Sequence, residues 1–177
     1  KSGAEAAGEE LGVDVNVLMP NGVVEQKQMI EDLVIRGVDG IALSPIDPDN
    51  QTEVINEAAA ATNVITADSD APKSDRIFYL GVDNYEAGRM CGQLVKEALP
   101  DGGKVMIFIG RLEQDNAKRR RQGVIDELLD RPKNPDNYDP PGSALKGDKF
   151  TILGTLTDQF DRAKGKANVE DTLSKYP

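Results

Sequence analysis

Residues 40–68 read GIALSPIDPDNQTEVINEAAAATNVITAD. The run Gly40-Ile41-Ala42-Leu43-Ser44 is short, apolar and stopped by Pro45, which is how a buried strand reads. Asp47-Pro48-Asp49-Asn50 is a turn leading into a helix near Thr52–Ala61. Val64-Ile65-Thr66-Ala67 is again a strand, ending at Asp68. Strand, helix and strand in such close succession form a crossover unit, and a crossover unit joins parallel neighbours in one sheet.

The same alternation continues in both directions. Upstream, Val13, Val15 and Val17 alternate with Asp14 and Asn16 before Leu18-Met19, which predicts a strand. Met29, Ile30, Leu33 and Val34 sit at helical spacing, with Gly37 just past the end. A further helix, Ser2–Leu11, closes at Gly12. Downstream, strands are expected at 77–82, 104–109 and 150–156. Asp83 opens a helix with Glu86 as its capping-box partner and an apolar side of Ala87, Cys91, Leu94, Val95 and Ala98, so Cys91 reads as a small buried hydrophobe. Helices follow at 116–129 and 161–175. Residues 131–149 hold four prolines and two glycines and read as a surface loop. The fold class is therefore α/β, with mostly parallel, doubly wound sheets. The chain opens within a helix and ends on one, so the expectation is a fragment lacking at least one strand at each end.

Charge divides the 177 residues unevenly. Residues 1–82 carry fifteen acids and five bases, whereas residues 83–177 carry sixteen of each, so the net charge of -10 belongs to the first part. That asymmetry suggests two units with different surfaces. Histidine is absent and Cys91 is the only cysteine, which excludes His-dependent catalysis, a thiolate zinc cluster and an intrachain disulfide. No phosphate-cradling glycine loop and no nucleophile elbow follows any strand. Lys118-Arg119-Arg120-Arg121 is a basic run, but successive helical residues point about 100° apart and acids flank it. It reads as a solvated helix with one or two inward-reaching arginines, not as a nucleic-acid stripe.

Ligands of open α/β sheets bind beyond the carboxyl ends of the strands. Those ends are Pro20-Asn21-Gly22, Ser44-Pro45, Asp68-Ser69-Asp70, Asp83-Asn84, Gly110-Arg111 and Thr157-Asp158-Gln159-Phe160. Asp68-Ser69-Asp70 is the sharpest of them. A strand-end carboxylate accepts two sugar hydroxyls in charge-assisted bonds, although the same tripeptide also suits an Asx turn before Pro72. Phe160 reads equally as a stacking surface for an apolar ligand face or as a hydrophobic staple at a helix start.

Seven segments carry a family resemblance in their order and spacing: 3–12, QMIEDLVIRG at 28–37, GIALSPID at 40–47, VITADSD at 64–70, GVDNYEAG at 81–88, NAKRRRQG at 116–123 and TDQFDRAKG at 157–165. Together they resemble periplasmic sugar-binding proteins of the ribose-binding type, the solute receptors of ABC importers. The resemblance implies two lobes joined by a hinge crossed three times, as in type I periplasmic binding proteins. Residues 1–82 would lie in the N-terminal lobe, 83–177 would begin the C-terminal lobe, and Gly81–Asn84 would be the first crossing. It implies a small sugar as ligand, a membrane permease as partner, a monomer with no cofactor, metal or catalytic residue, and a periplasmic or extracellular location, free or lipid-anchored, with the leader not present in this chain. By position, Asp68 matches the sugar-binding aspartate, Arg120 the arginine reaching in from the C-terminal lobe and Phe160 a stacking aromatic. Asn116 faces the same way one turn before Arg120, and Ser44 lies where a polar contact is common. Ser69 stands where ribose receptors carry arginine, which points away from ribose and gives Ser69 or Asp70 a part in binding another sugar. The alternative is the effector domain of a lactose-repressor-type regulator, which shares the fold.

Overall fold

The computed structural model describes residues 2–177; Lys1, the first residue of the expected N-terminal unit, lies outside them. Among the described residues, helices and strands alternate around two three-stranded sheets. The first sheet is parallel, in the order β1 (Gly40–Leu43), β2 (Asn63–Ala67) and β3 (Tyr79–Leu80). Helices α1 (Ser2–Leu11), α2 (Val23–Ile35) and α3 (Pro48–Ala61) accompany it. α3 starts one turn earlier than the expected Thr52, because Asp47-Pro48-Asp49-Asn50 is its first turn: Asp47 accepts from the Asn50 backbone N–H, and Pro48 at the first helical position has no N–H to leave unpaired. Ile30, Ile41, Leu43, Val54, Ile55, Ala58 and Val64 form the core between the sheet and α2 and α3.

The second sheet has the order β4 (Gly103–Ile109), β6 (Phe150–Thr157), β5 (Leu145–Lys146). β4 and β6 are parallel, with a register shift between Val105 and Met106 that leaves Leu153 as the extra residue of a bulge, and β5 pairs antiparallel with β6. Its helices are α4 (Asn84–Ala98), α5 (Asp115–Leu128) and α6 (Arg162–Lys175). Ile125, Leu128, Phe150 and Ile152 form a second, separate core. No helix among the described residues is long and apolar enough to cross a membrane.

α4 and α5 pack backbone to backbone. A Cβ on Gly88 would overlap the Arg120 carbonyl, and one on Gly123 would overlap the Tyr85 carbonyl. The contact is locked by Tyr85, which is buried and donates its hydroxyl to Asp126 Oδ2 at 2.8 Å while accepting from the Asn134 N–H at 3.0 Å. The face of α4 that turns inward is therefore Tyr85, Gly88 and Gly92. This corrects the sequence reading of Cys91, which is exposed, as are Leu94 and Met90. The small residues, not the larger apolar ones, mark the buried stripe, because only they let two helix axes come this close.

Two further expectations change. Residues 13–19 form no strand; their one backbone bond among the described residues is Val13 N–H to Gly8 C=O, and Val13, Val15, Leu18 and Met19 are exposed. Alternation describes a surface fit for pairing, but a strand exists only where a second backbone supplies the ladder. The capping box at α4 is half made: Asp83 Oδ1 accepts from the Tyr85 and Glu86 N–H groups, while the Glu86 carboxylate instead meets Lys133 Nζ at 2.7 Å.

The α4–α5 contact has a direct test. Gly123→Ala should lower the urea midpoint by the equivalent of about 2 kcal/mol, the usual cost of overpacking. Gly3→Ala, where nothing lies within 4 Å, serves as the control and should leave it unchanged or raised. Equal midpoints for both variants would mean that the two helices are not in backbone contact.

Candidate functional site

The carboxyl ends of β1 and β2 are built from buried polar side chains. Gln26 and Gln51, both buried, knit the loop after β1: Gln26 Nε2 donates to the Ser44 carbonyl at 3.0 Å, Gln26 Oε1 accepts from Ile46 N–H and Gln51 Nε2, and Gln51 Oε1 accepts from Asp47 N–H at 2.8 Å. Ser44 itself remains exposed at the end of β1.

After β2 the chain turns sharply. Asp68 takes a positive φ of 66°, an uncommon state that aspartate tolerates better than most residues, and its side chain is exposed. Ser69 and Asp70 turn the other way, into the protein. Ser69 is fully buried and its hydroxyl has no hydrogen-bond partner. Asp70 Oδ1 accepts from Thr66 Oγ1 at 2.6 Å, from Ala71 N–H at 2.7 Å and from Arg76 Nε, and Asp70 Oδ2 accepts from Arg76 Nη2 at 2.6 Å. Burial opposes ionisation of Asp70, but the bonds from Arg76, Thr66 and Ala71 outweigh it and hold the carboxyl below its ordinary pKa. Asp70 is thus occupied as the brace of the turn that presents Asp68.

α5 supplies the facing side. Its four consecutive cations go to four different places, as their spacing around the helix requires. Lys118 Nζ reaches Asp49 on α3 at 3.1 Å, and Arg119 pairs with Asp115 at 2.9 Å. Arg120 Nη2 donates to Asn84 Oδ1 at 2.6 Å. Arg121 is buried, donating to Thr155 Oγ1 and to the carbonyls of Asp139 and Pro140. Asn116 Nδ2 lies 3.4 Å from Asp68 Oδ2, a long hydrogen bond that spans the gap between the two sheets' units. Asp49 stands between Lys118 and Lys73, and the bonds from Lys73 and Lys118 hold its carboxyl below the usual range.

At the end of the second sheet, Gln159 and Phe160 are consecutive residues in the left-handed region, with φ of 58° and 63°. Asp158 Oδ1 accepts the Phe160 N–H at 2.7 Å and steadies this turn. The Phe160 ring is mostly exposed and lies against Gly110, where any Cβ would collide with it. The Arg111 guanidinium sits 5.3 Å from the ring centroid, at cation–π range, and its buried Nε has no partner.

The structure therefore brings Asp68 and Asn116 into contact and sets Arg120 on Asn84. Ser44 and Phe160 stand open at the ends of β1 and β6, and Ser69 and Asp70 face inward. Sequence reading did not assign roles to Arg76, Gln26, Gln51, Asn84 or Arg111. Asn84 and Arg111 were visible as strand-end positions, whereas the partners of Asp70 and Ser44 carry no local signal. A cavity of about 410 Å³ opens beside this region, walled by Pro48, Asp49, Lys73, Lys118, Arg119 and Tyr138. It does not include Asp68, Asn116, Arg120 or Phe160, and each of its three cations already has a carboxylate partner.

The family model for the periplasmic binding protein domain matches residues 1–177. The chain belongs to that family. Its relatives include the ribose import binding protein of Salmonella typhimurium, 26% identical over all of this chain and 55% of that protein, and its counterpart in Haemophilus influenzae, 28% identical over 98% of this chain and 54% of that protein. Among solved structures, an ABC transporter solute-binding protein from Burkholderia graminis in complex with D-arabinose superposes with a TM-score of 0.84 at 32% identity, covering 99% of this chain and 56% of that one. A glucose-galactose binding protein from Geobacillus stearothermophilus gives 0.83 at 27% identity, covering 99% and 58%. The fold is that of the type I periplasmic binding proteins. The chain spans about half the length of the curated relatives it matches.

The Asp70 brace sets a pH dependence. Its folded-state pKa is lowered, so its contribution is fully present above about pH 4, the ordinary aspartate value, and is lost as pH falls through the lowered value. Arg76→Ala should cost about 2 kcal/mol at neutral pH by leaving a buried charge without its partner, and should flatten the acid limb of stability against pH. Denaturant titrations between pH 2 and 7 would measure both, and an unchanged acid limb would exclude Arg76 as the group that holds Asp70.

Proposed function

We propose that the protein carrying this chain binds a small sugar in the cleft between its two α/β units and delivers it to the membrane permease of an ABC importer. The observation that carries the reading is the meeting of Asp68, at the end of a parallel strand in the first unit, with Asn116 on α5 of the second. An exposed carboxylate accepts hydroxyls, and an adjoining amide and guanidinium donate to them, which is the donor–acceptor mixture a sugar ring offers on its edge. Asp68 accepts, Arg120 and Asn116 donate, Ser44 adds a polar contact and Phe160 packs on a ring face. Ser69 and Asp70 shape the turn that presents Asp68. The relatives support the same reading, since those compared above are import binding proteins or sugar-binding receptors.

In this reading residues 1–82 and 83–177 belong to two lobes, and 81–84 is a hinge crossing. Sugar binding shifts the population toward the closed form that the permease recognises. The protein is a monomeric receptor rather than an enzyme, acting in the periplasm or outside the cell. The lack of histidine removes His-dependent catalysis, and the family description and the relatives' names, periplasmic binding domain and import binding proteins, favour a receptor.

A thermal-shift screen against pentoses, hexoses and deoxysugars should find a ligand that raises the unfolding temperature; a protein unmoved by every sugar would remove the proposal. With that ligand, Asp68→Ala should weaken binding by about 2 kcal/mol, roughly thirtyfold in Kd. Phe160→Ala should weaken it less, by about 1 kcal/mol. Calorimetric titration reads both losses, and an unaltered affinity in Asp68→Ala would remove the aspartate from the site.

A further inference from the structure

Arg120 and Asp68 come from different units, yet one short chain of hydrogen bonds joins them through the 81–84 crossing. Arg120 Nη2 donates to Asn84 Oδ1 at 2.6 Å. Asn84 Nδ2 donates to Tyr79 Oη at 3.2 Å and to the Val82 carbonyl at 3.3 Å. Tyr79 Oη lies 2.9 Å from the Asp68 carbonyl and 3.2 Å from that of Val82, with one proton to give. We infer that Asn84, acting with Tyr79, is a positioning residue that holds Arg120 and Asp68 in mutual register across the crossing.

Three observations support this assignment. First, the Asn84 side chain is not needed to start α4. Asp83 already caps the helix, accepting from the Tyr85 and Glu86 N–H groups, so the Asn84 amide is free for another task. Second, Asn84 is 6% exposed, and both ends of its amide are engaged, which leaves it one orientation. A buried, singly oriented acceptor is what a long arginine needs to lose its rotamer freedom before a ligand arrives. Third, the crossing is built around Tyr79. A Cβ on Gly81 would overlap the phenol oxygen, so the glycine lets the chain wrap over the ring. Burial, together with the nearby Asp68, Asp70 and Asp115 charges, outweighs the Asn84 hydrogen bond and raises the Tyr79 pKa. The phenol therefore stays protonated, a donor to the carbonyl of a residue held at positive φ.

The inference rests on the sugar-binding reading of the cleft, and its test separates the two. In the protein carrying this chain, labelled with 15N-arginine, the Arg120 Nη2 signal should be resolved. It should collapse in Asn84→Ala and persist in Asn84→Asp, which keeps the acceptor. A signal unchanged in Asn84→Ala overturns the positioning role, whether or not any sugar binds. D-arabinose and D-ribose are then titrated calorimetrically. Asn84→Ala should weaken binding roughly tenfold, and Asn84→Asp should recover most of that loss, because one charge-assisted bond is at stake. In an Arg120→Ala background, Asn84→Ala should add only about threefold, the part that reaches Asp68 through Tyr79, since Arg120 is no longer there to position. Losses that multiply in full overturn the inference. Tyr79→Phe, which removes one hydroxyl and keeps the ring, provides a folded variant if Asn84→Ala unfolds; it should weaken binding about threefold, the size of a neutral hydrogen bond, and an unchanged affinity counts against the relay. If neither sugar binds the parent protein, the sugar reading fails for those ligands, and the arginine spectrum alone decides the positioning role.

Discussion

The backbone contact between α4 and α5 is the constraint on which the second unit depends. Gly88 lies on the carbonyl of Arg120, and Gly123 lies on the carbonyl of Tyr85, so neither helix can slide or roll without collision. α4 begins at Asn84 and α5 carries Asn116 and Arg120. Locking one helix to the other therefore places Asn116 and Arg120 by reference to Asn84 at the start of α4. The buried Tyr85–Asp126 bond and the Glu127 pairs with Arg89 and Lys96 reinforce the same contact along its length. Each of these contacts limits where Arg120 can be.

A similar economy governs the first unit. Two glutamines, an aspartate and an arginine, all buried or nearly so, spend their polar groups on the loops after β1 and β2. Such groups are costly to bury unless satisfied, and nearly all of them here are. The exception is the Ser69 hydroxyl, tucked beside the residue whose backbone is least relaxed. The unit thus trades apolar packing for a rigid turn at the place where the Asp68 carboxylate is exposed. The acidity of residues 1–82 is partly answered from across the gap, where Lys118 of the neutral half reaches Asp49.

Most of the fold was legible in the sequence because it follows from periodicity and punctuation. The crossover unit at 40–68, the cap at Asp83 and the helix end before Gly37 appear where their residues put them, whereas 47–50, read as a turn, is the cap and first turn of α3. Residues 13–19 misled because alternation says nothing about a pairing partner. Cys91 misled because hydrophobic spacing was read where glycine spacing decided the buried face. Among the candidate site residues, Asp68 was legible as a strand-end carboxylate, whereas Asn116 and Arg120 came only from the family resemblance. The inward turn of Asp70 was not, since its partner Arg76 is six residues away through an irregular loop, and no local rule connects them.

The proline-rich stretch 131–149 looks, from composition, like a place where chain could be added at will. Its bonds argue otherwise. Gln122 grips Asp139 from both ends of its amide, Arg131 holds the Asp139 carboxylate, and the buried Arg121 is capped by the carbonyls of Asp139 and Pro140. Arg121 neighbours Arg120 on the same helix. A tag or reporter module spliced near residue 139 would pull on the very turn of α5 that carries Arg120, so in a biosensor built on this scaffold that loop would act as a transmitter and not as a silent attachment point.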